Sequence, residues 1–267
     1  MMRSLWTAAS GMKAQQFFVD VTANNIANVN TTGFKRNRVE FHDLIYETMR
    51  RAYVMEDQQR PVNLQAGHGV LPAATTKLFR TGSFERTDNY LDVAIQGDGF
   101  FVVSGGMDGT QYYTRDGSFK LSLTDNGMML TTSDGLPVLD DGGNEIYINV
   151  DALRLIIGIN GELSFTNDDG EAEYLGYRIG MVKFQNRDGL ETIGDNFFIT
   201  TSASGEPLPD EEYGRPSILR QGYVEMSNVN IADEMVNLIV AQRAYETNSK
   251  CITTSDDMLA IANSLKR

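Results

Sequence analysis

The sequence predicts an α+β, multidomain fold in which two helical ends pair as a coiled coil, an extended arm follows the first helix, and the middle is all β. Three observations carry this. All six prolines lie between Pro61 and Pro216, the only glycines before Pro61 are Gly11 and Gly33, and Tyr223 to Arg267 contains neither residue. Apolar residues recur every seven positions at both ends. Charge is uneven: from Leu91 to Arg215, 14 Asp and 8 Glu stand against 2 Lys and 5 Arg, a balance of −15, which leaves about +2 for the rest of a chain whose total is −13. That central acidity disfavours nucleic acid as a partner.

At the N-terminal end Leu5, Met12, Val19 and Ile26 repeat at intervals of seven, with Ala8, Gln15 and Thr22 three positions after the first three. At the C-terminal end Ile231, Leu238, Tyr245, Ile252 and Leu259 do the same, and their companions Glu234, Ala241, Asn248 and Ser255 are small or polar. A seven-residue repeat keeps one seam toward a partner helix and implies a left-handed supercoil. The thin second line means that one partner buries only part of each helix, so further packing between chains is expected. Ordinary amphipathic helices on a globular core would show similar periodicity.

Between the first helix and the middle, Tyr46 to Leu78 is polar, charged at Arg50, Arg51, Glu56, Asp57 and Arg60, and includes Gly67-His68-Gly69. It reads as an extended arm. The middle reads as short strands over 91–103 (interrupted at Gly97-Asp98-Gly99), 112–114, 118–121, 128–132, 145–150, 153–159, 162–165, 178–184 and 196–200. Asp108-Gly109, Asp116-Gly117, Asn126-Gly127, Asp134-Gly135 and Asp188-Gly189 supply hairpin turns with positive φ. Strands at this spacing suggest a sandwich or barrel-like body.

Chemistry is sparse. No run approaches the ~18–20 apolar residues of a membrane span, and the start, Met1-Met2-Arg3-Ser4-Leu5-Trp6, lacks the apolar stretch and cleavage site of a secretory signal. Cys251 is the single cysteine and His42 and His68 the only histidines, so neither an internal disulfide nor a Cys/His metal cluster is expected. Nucleophile-elbow, zincin and phosphate-loop patterns do not occur. Gly97-Asp98-Gly99 reads as a bend or bulge, Asp140-Asp141 and Asp168-Asp169 as solvated turns, His68 as a loop residue and Cys251 as a half-buried neighbour of the helix seam. No enzyme activity, cofactor or metal is expected.

The most particular stretch runs from Asn24 to Lys35. Asparagines favour helix ends and side-chain-to-backbone bonds, Ile26 continues the seam, Gly33 can take the left-handed conformation that ends a helix, and Phe34 can anchor the departing chain on a neighbour. Asn24, Asn25, Ala27, Asn28, Thr31, Gly33 and Phe34 reproduce the pattern Asn-Asn-x-Ala-Asn-x-x-Thr-x-Gly-Phe. The stretch resembles the N-terminal signature of the flagellar basal-body rod and hook family. The likeness continues at residues 2–6, 11–16, 92–101, 113–119, 221–230 and 242–246, and the arm from Asp43 to Val70 is similar to that of the distal-rod branch rather than the hook branch.

The resemblance implies an arrangement and a role. Residues 1–34 and 228–267 form an inner coiled-coil domain, 35–90 the connecting arm and middle domain, 91–205 an all-β outer domain, and 206–227 the return. Copies stack through their terminal helices into a hollow helical homopolymer, the rigid distal rod, which transmits torque to the hook and encloses an export channel. Implied partners are the chain itself, the proximal rod, hook and hook–filament-side subunits, ring or bushing proteins, and the flagellar type III export apparatus. Implied location is the basal body, spanning the periplasm and reached without a cleaved signal. Phe41-His42-Asp43-Leu44-Ile45 resembles the short motif recognised by the export gate, whereas a helix-face pair of Phe41 and Ile45 one turn apart would give the same spacing. A sibling rod or hook subunit, a secreted calcium-binding adhesin built on the acidic turns, and a carbohydrate-active enzyme with a carboxylate pair are the alternatives.

Overall fold

The structure, a computed structural model, describes residues 2–50, 53–55, 58–60, 62–105, 109–124, 127–148, 154–167, 172–211 and 213–264, with backbone alone at 53–55 and 58–60. The described chain forms two compact units. One comprises 1–27, 37–76 and 230–267, the other 28–36 and 77–229, so the chain passes between them at 27/28, 36/37, 76/77 and 229/230. This division differs from the five expected segments. Residues expected as one arm, 35–90, are shared between the units, because part pairs beside the helices and part joins the β strands.

The first unit holds helix α1, Met2–Ala27, and helix α2, Ile231–Ser264, which pack against each other. At about 1.5 Å per residue, the 34 residues of α2 extend roughly 50 Å. Asn230 caps α2: its side-chain oxygen accepts the Ala232 N–H at 3.1 Å and its carbonyl accepts that of Glu234 at 3.1 Å. Asp233 and Glu234 place negative charge in the first turn, where the helix dipole favours it. Helix α1 stops at Ala27, earlier than the expected end at Gly33.

The arm is a β ribbon. Asn37–Asp43 pairs with Val70–Lys77, Tyr46–Arg50 with Leu64–Gly67, and Tyr53–Met55 with Gln58–Arg60. Local polarity hid this order, since a ribbon with both faces mostly wet has no apolar alternation to read. Its base lies on α1: Phe41 meets Phe18 edge-on at 6.1 Å between ring centroids, the Val70 N–H donates to Ser10 Oγ at 3.4 Å, and Arg3 pairs with Glu47.

The second unit is β-rich. Its largest sheet runs in the order Glu191–Gly194, Phe197–Ile199, Gln111–Thr114, Phe100–Ser104, Met181–Lys183 and Leu208–Pro209. Two three-stranded sheets (120–124, 127–131 and 147–148; 155–157, 162–166 and 172–178) and two strand pairs (93–96 with 218–221; 84–86 with 223–225) complete it. The strands over 84–86, 191–194, 208–209, 218–221 and 223–225 lie outside the expected set, and 172–178 meets it only at Arg178. Phe100–Ser104 is apolar on both sides because both its faces are buried: Phe101 and Val103 enter a core with Ile95, Phe119, Leu130, Ile148 and Leu163, and Phe100 and Val102 a second one with Phe79, Tyr113, Phe184 and Phe198. In the second core Phe79, Phe184 and Phe198 each meet Phe100 edge-on at 5.5–5.8 Å.

Turn expectations divide. Gly109, Gly127 and Gly135 have positive φ, whereas Gly117 and Gly189 do not. Gly117 is required instead by packing, since a Cβ there would collide with the Val93 carbonyl, and Gly189 closes a single 3-10 turn. Asp108, Asn126, Asp168 and Asp169 lie outside the described residues. Asp195 and Asn196 at φ 49° and 60° turn the hairpin between 191–194 and 197–199, so Asn196, expected to open the strand 196–200, belongs to the turn before it.

Candidate assembly site

The centre of the helix pair is made of the small and polar line, not the apolar one. Ala8, Ala14, Thr22 and Asn25 of α1 and Glu234, Ala241 and Ser255 of α2 are the buried residues of the two helices. Small side chains let the backbones approach closely: a Cβ on Gly11 would stand 2.8 Å from Asn248 Nδ2, and the Ser4 and Ser255 hydroxyls are 3.3 Å apart. Each buried polar group then needs a partner, and Asn25 supplies three bonds. Its Nδ2 donates to the Asn37 carbonyl at 2.9 Å and to Glu234 Oε2 at 3.2 Å, while its Oδ1 accepts the Asn37 N–H at 2.9 Å. One side-chain amide thus fixes the start of the ribbon and meets the buried carboxylate of α2.

The heptad residues expected to form the seam flank this line. Leu5, Met12, Val19, Ile26, Leu238, Ile252 and Leu259 are half-buried, and Ile231 and Tyr245 are exposed at 47 % and 43 %. With Trp6, Met235, Val236, Ile239, Val240, Met258 and Ile261, all exposed, they leave apolar surface along both helices. Sequence reading missed these additional residues because a strict seven-residue template samples one line, whereas the exposed side chains spread over the remaining circumference. Cys251 is exposed, not half-buried, which puts it outside the seam.

Of the motif residues, Asn24 and Ala27 are exposed at the end of α1, and Asn28 and Thr31 form the turn after it, with Thr31 Oγ1 bonded to Asn28 Oδ1 at 3.1 Å. Gly33 has φ +68° but is not the cap of α1; its N–H donates to the Glu225 carbonyl at 2.8 Å, and a Cβ would stand 2.8 Å from the Asp116 nitrogen. The glycine is required by close backbone crossing. Phe34 is buried within its own chain, with Lys77 Nζ 5.3 Å over its ring. Phe41 lies in a strand, which overturns the helix-face pairing with Ile45; Ile45 follows that strand at 84 % exposure.

A buried charge cluster in the second unit was not foreseen. Lys35, Arg115 and Glu225 have fully buried side chains, and each lies in a stretch that carries the family likeness. Lys35 Nζ donates to Glu225 Oε1 at 2.6 Å and to the Arg80 carbonyl at 3.0 Å, the Gly82 N–H donates to the same carboxylate oxygen at 2.8 Å, and Arg115 Nε stands 3.6 Å from Glu225 Oε2. Burial, reinforced by the Arg115 charge, pulls the Lys35 ammonium down to about 8 even though Glu225 opposes the shift. Two cations share one carboxylate. No signal in the linear sequence pairs residues 190 positions apart.

The sites weighed for chemistry have structural uses. Gly97-Asp98-Gly99 bends the chain between two strands, the Gly99 N–H donating to Ser217 Oγ at 3.1 Å and Asp98 pairing with Arg187 at 2.5 Å. Asp140 Oδ1 accepts the Asn144 N–H at 2.8 Å within its turn, and His68 Nδ1 donates to the Ile45 carbonyl at 2.9 Å in a loop of the ribbon. Among the described residues no three His, Cys, Asp or Glu side chains are grouped as a metal would need, and no helix is long and apolar enough to cross a membrane.

Family models match at residues 5–35 (Flagella basal body rod protein), 94–165 (Flagellar hook protein FlgE/F/G D1 domain) and 220–265 (Flagellar basal body rod FlgEFG protein C-terminal). The flagellar basal-body rod protein FlgG of Borreliella burgdorferi is 49 % identical, with 100 % of both chains covered. That of Buchnera aphidicola subsp. Schizaphis graminum is 44 % identical over 97 % of this chain and 98 % of its own, and that of Bacillus subtilis 41 % identical over 100 % of both. The solved structure of the Helicobacter pylori flagellar hook protein FlgE2 is similar over 63 % of this chain and 46 % of that one, at 14 % identity and a TM-score of 0.24, too slight a likeness to argue from. Full-length identity at this level, with matches that include both helices and the motif between Asn24 and Phe34, means that the chain belongs to the flagellar basal-body rod family, on its FlgG-like distal-rod branch.

Proposed function

We propose that this chain is a structural subunit of the distal rod of the bacterial flagellar basal body, and that it works by stacking copies of itself through the terminal helices. One observation carries the stacking: α1 and α2 spend their small residues on each other and leave Trp6, Met235, Val236, Ile239 and Val240 exposed at 48–72 %. Removing apolar surface from water yields about 25 cal/mol per Å2, and a stripe distributed along both helices is satisfied by neighbours on several sides. The helix pair, as an inner coiled-coil domain, would line a tube that encloses the export channel and transmits torque to the hook. The ribbon would bridge adjacent copies, and the acidic β-rich body would form the outer surface.

Partners in this reading are further copies, proximal rod, hook and hook–filament-side subunits, ring or bushing proteins and the type III export apparatus; no catalytic step is required. The location follows, a basal body spanning the periplasm. The Phe41–Ile45 stretch would serve the export gate before assembly, and its packing against Phe18 would serve the folded state. Secretion of Phe41→Ala at the wild-type level would remove the export role and leave the packing one.

Electron microscopy of tubes formed by the purified chain is the direct test. Leu238→Pro interrupts α2 at an interior position, at a cost of about 3 kcal/mol or more. It is expected to abolish tubes while the β-rich unit of the same chain keeps its cooperative melting. Normal tubes from that variant would sink the stacking proposal.

A further inference from the structure

Four covalent connections join the two units, and the segments that carry them meet inside the β-rich unit. Segment 28–36 carries two connections, the start of 77–83 a third, and the end of 222–229 the fourth. Glu225 gathers all of these segments. Its carbonyl accepts the Gly33 N–H at 2.8 Å, and its Oε1 accepts Lys35 Nζ at 2.6 Å and the Gly82 N–H at 2.8 Å. Asn228 repeats the pattern three residues later: its Oδ1 accepts the Arg36 N–H at 2.8 Å, and its Nδ2 donates to the carbonyls of Leu78 at 2.7 Å and Arg80 at 3.0 Å. The Leu78 N–H closes the circuit on the Arg36 carbonyl at 2.9 Å. Arg115, from the core of the body, faces Glu225 Oε2 at 3.6 Å, and the Met226 carbonyl leaves no room for a Cβ on Gly82.

We propose that Glu225, buried, and Asn228, half-buried, are positioning residues that form a load-sharing clamp, tying the three connecting segments together so that they yield as a set and not one at a time. The proposal rests on the reading of this chain as a torque-bearing subunit. Four connections anchored independently would open at the weakest, leaving a hinge. Anchored through shared side chains, they distribute a twisting load over the whole set. Buried hydrogen bonds to a charged group suit the task because each broken bond strands a partner in a low-dielectric interior. Glu225 is therefore placed where failure of any one segment would expose the remaining contacts.

Amide hydrogen exchange on the full-length, unassembled chain separates this from a set of local contacts. Asn228→Ala removes bonds at Arg36, Leu78 and Arg80 but none at Gly33 or Gly82, which bond Glu225. A shared clamp predicts that exchange at Gly33 and Gly82 accelerates about tenfold together with Arg36. The core amide of Leu139, bonded to the Val102 carbonyl at 3.0 Å, should stay unchanged. Acceleration confined to Arg36, or equal acceleration at every amide including Leu139, would overturn the proposal. Glu225→Gln gives the reciprocal test, acceleration at Arg36, and should that variant not fold, the Asn228→Ala pattern decides. Tubes of Asn228→Ala should form in normal yield and bend more than wild-type tubes; equal stiffness also counts against the clamp. Failure of the wild-type chain to form tubes would sink the rod reading and leave the exchange result standing.

Discussion

Lys35 sits with Arg115 beside a single carboxylate, and its ammonium is held at about 8 against an ordinary 10.5. The sign follows from proton counting. Between pH 8 and 10.5 the unfolded chain holds more protons at this lysine than the folded one, so stability rises with pH across that window. The increment is fully present above 10.5 and lost as pH falls to about 8. Urea unfolding of wild type and Lys35→Met should therefore show the wild type gaining relative to the variant from pH 8 to 10.5. Near pH 7 the variant loses the ammonium's bonds to Glu225 and the Arg80 carbonyl while Arg115 still faces the carboxylate, so it is expected to be less stable by about 1–3 kcal/mol. A pH-independent difference would show that Lys35 keeps its ordinary proton affinity in the fold.

At the scale of elements, the helix pair divides its work between two lines of residues. Ala241 is 0 % exposed at the contact with α1, and Val240 beside it is 58 % exposed. Ala241→Leu should push the helices apart, at about 1–3 kcal/mol in the unassembled chain, read from the thermal melt of the helical circular dichroism. Val240→Ala should change that melt by no more than about 0.5 kcal/mol yet raise the concentration at which tubes appear. If both variants altered the melt and neither altered assembly, the outer line would belong to the fold of the single chain. The ribbon follows a different rule. Its strands are held by backbone pairing and by a base tied to Ser10 and Phe18, while Ile45, Met49 and Leu64 remain more than half exposed, at 54–84 %.

For the whole molecule, the outer ribbon over 46–69 contains no residue of either helix or of the β-rich unit. Deleting residues 46–69 should preserve tube formation and give curved or flexible tubes, seen as a fall in persistence length by electron microscopy. Straight tubes from the deletion would show that stiffness lies elsewhere, with the clamp at Glu225 and Asn228 the remaining source. The acidic balance of the region 91–215 belongs to this scale too, since a body of one charge sign repels its neighbours at low salt and is screened over about 8 Å at physiological ionic strength.

The amino-acid sequence by itself determined the class of fold and the family. Seven-residue spacing, the confinement of proline and most glycine to the middle, and the pattern from Asn24 to Phe34 are local, and local patterns survive without coordinates. Positive φ at Gly109 and Gly135 was legible for the same reason. Tertiary structure alone decided which helix line is buried, because close approach of two backbones selects Ala8, Ala241 and Ser255 over larger side chains that periodicity weights more heavily. It alone decided that Gly33 serves a chain crossing instead of a helix end, and that Lys35, Arg115 and Glu225 form one cluster. Burial and charge pairing are properties of surroundings, and residues far apart in the chain acquire common surroundings only when it folds.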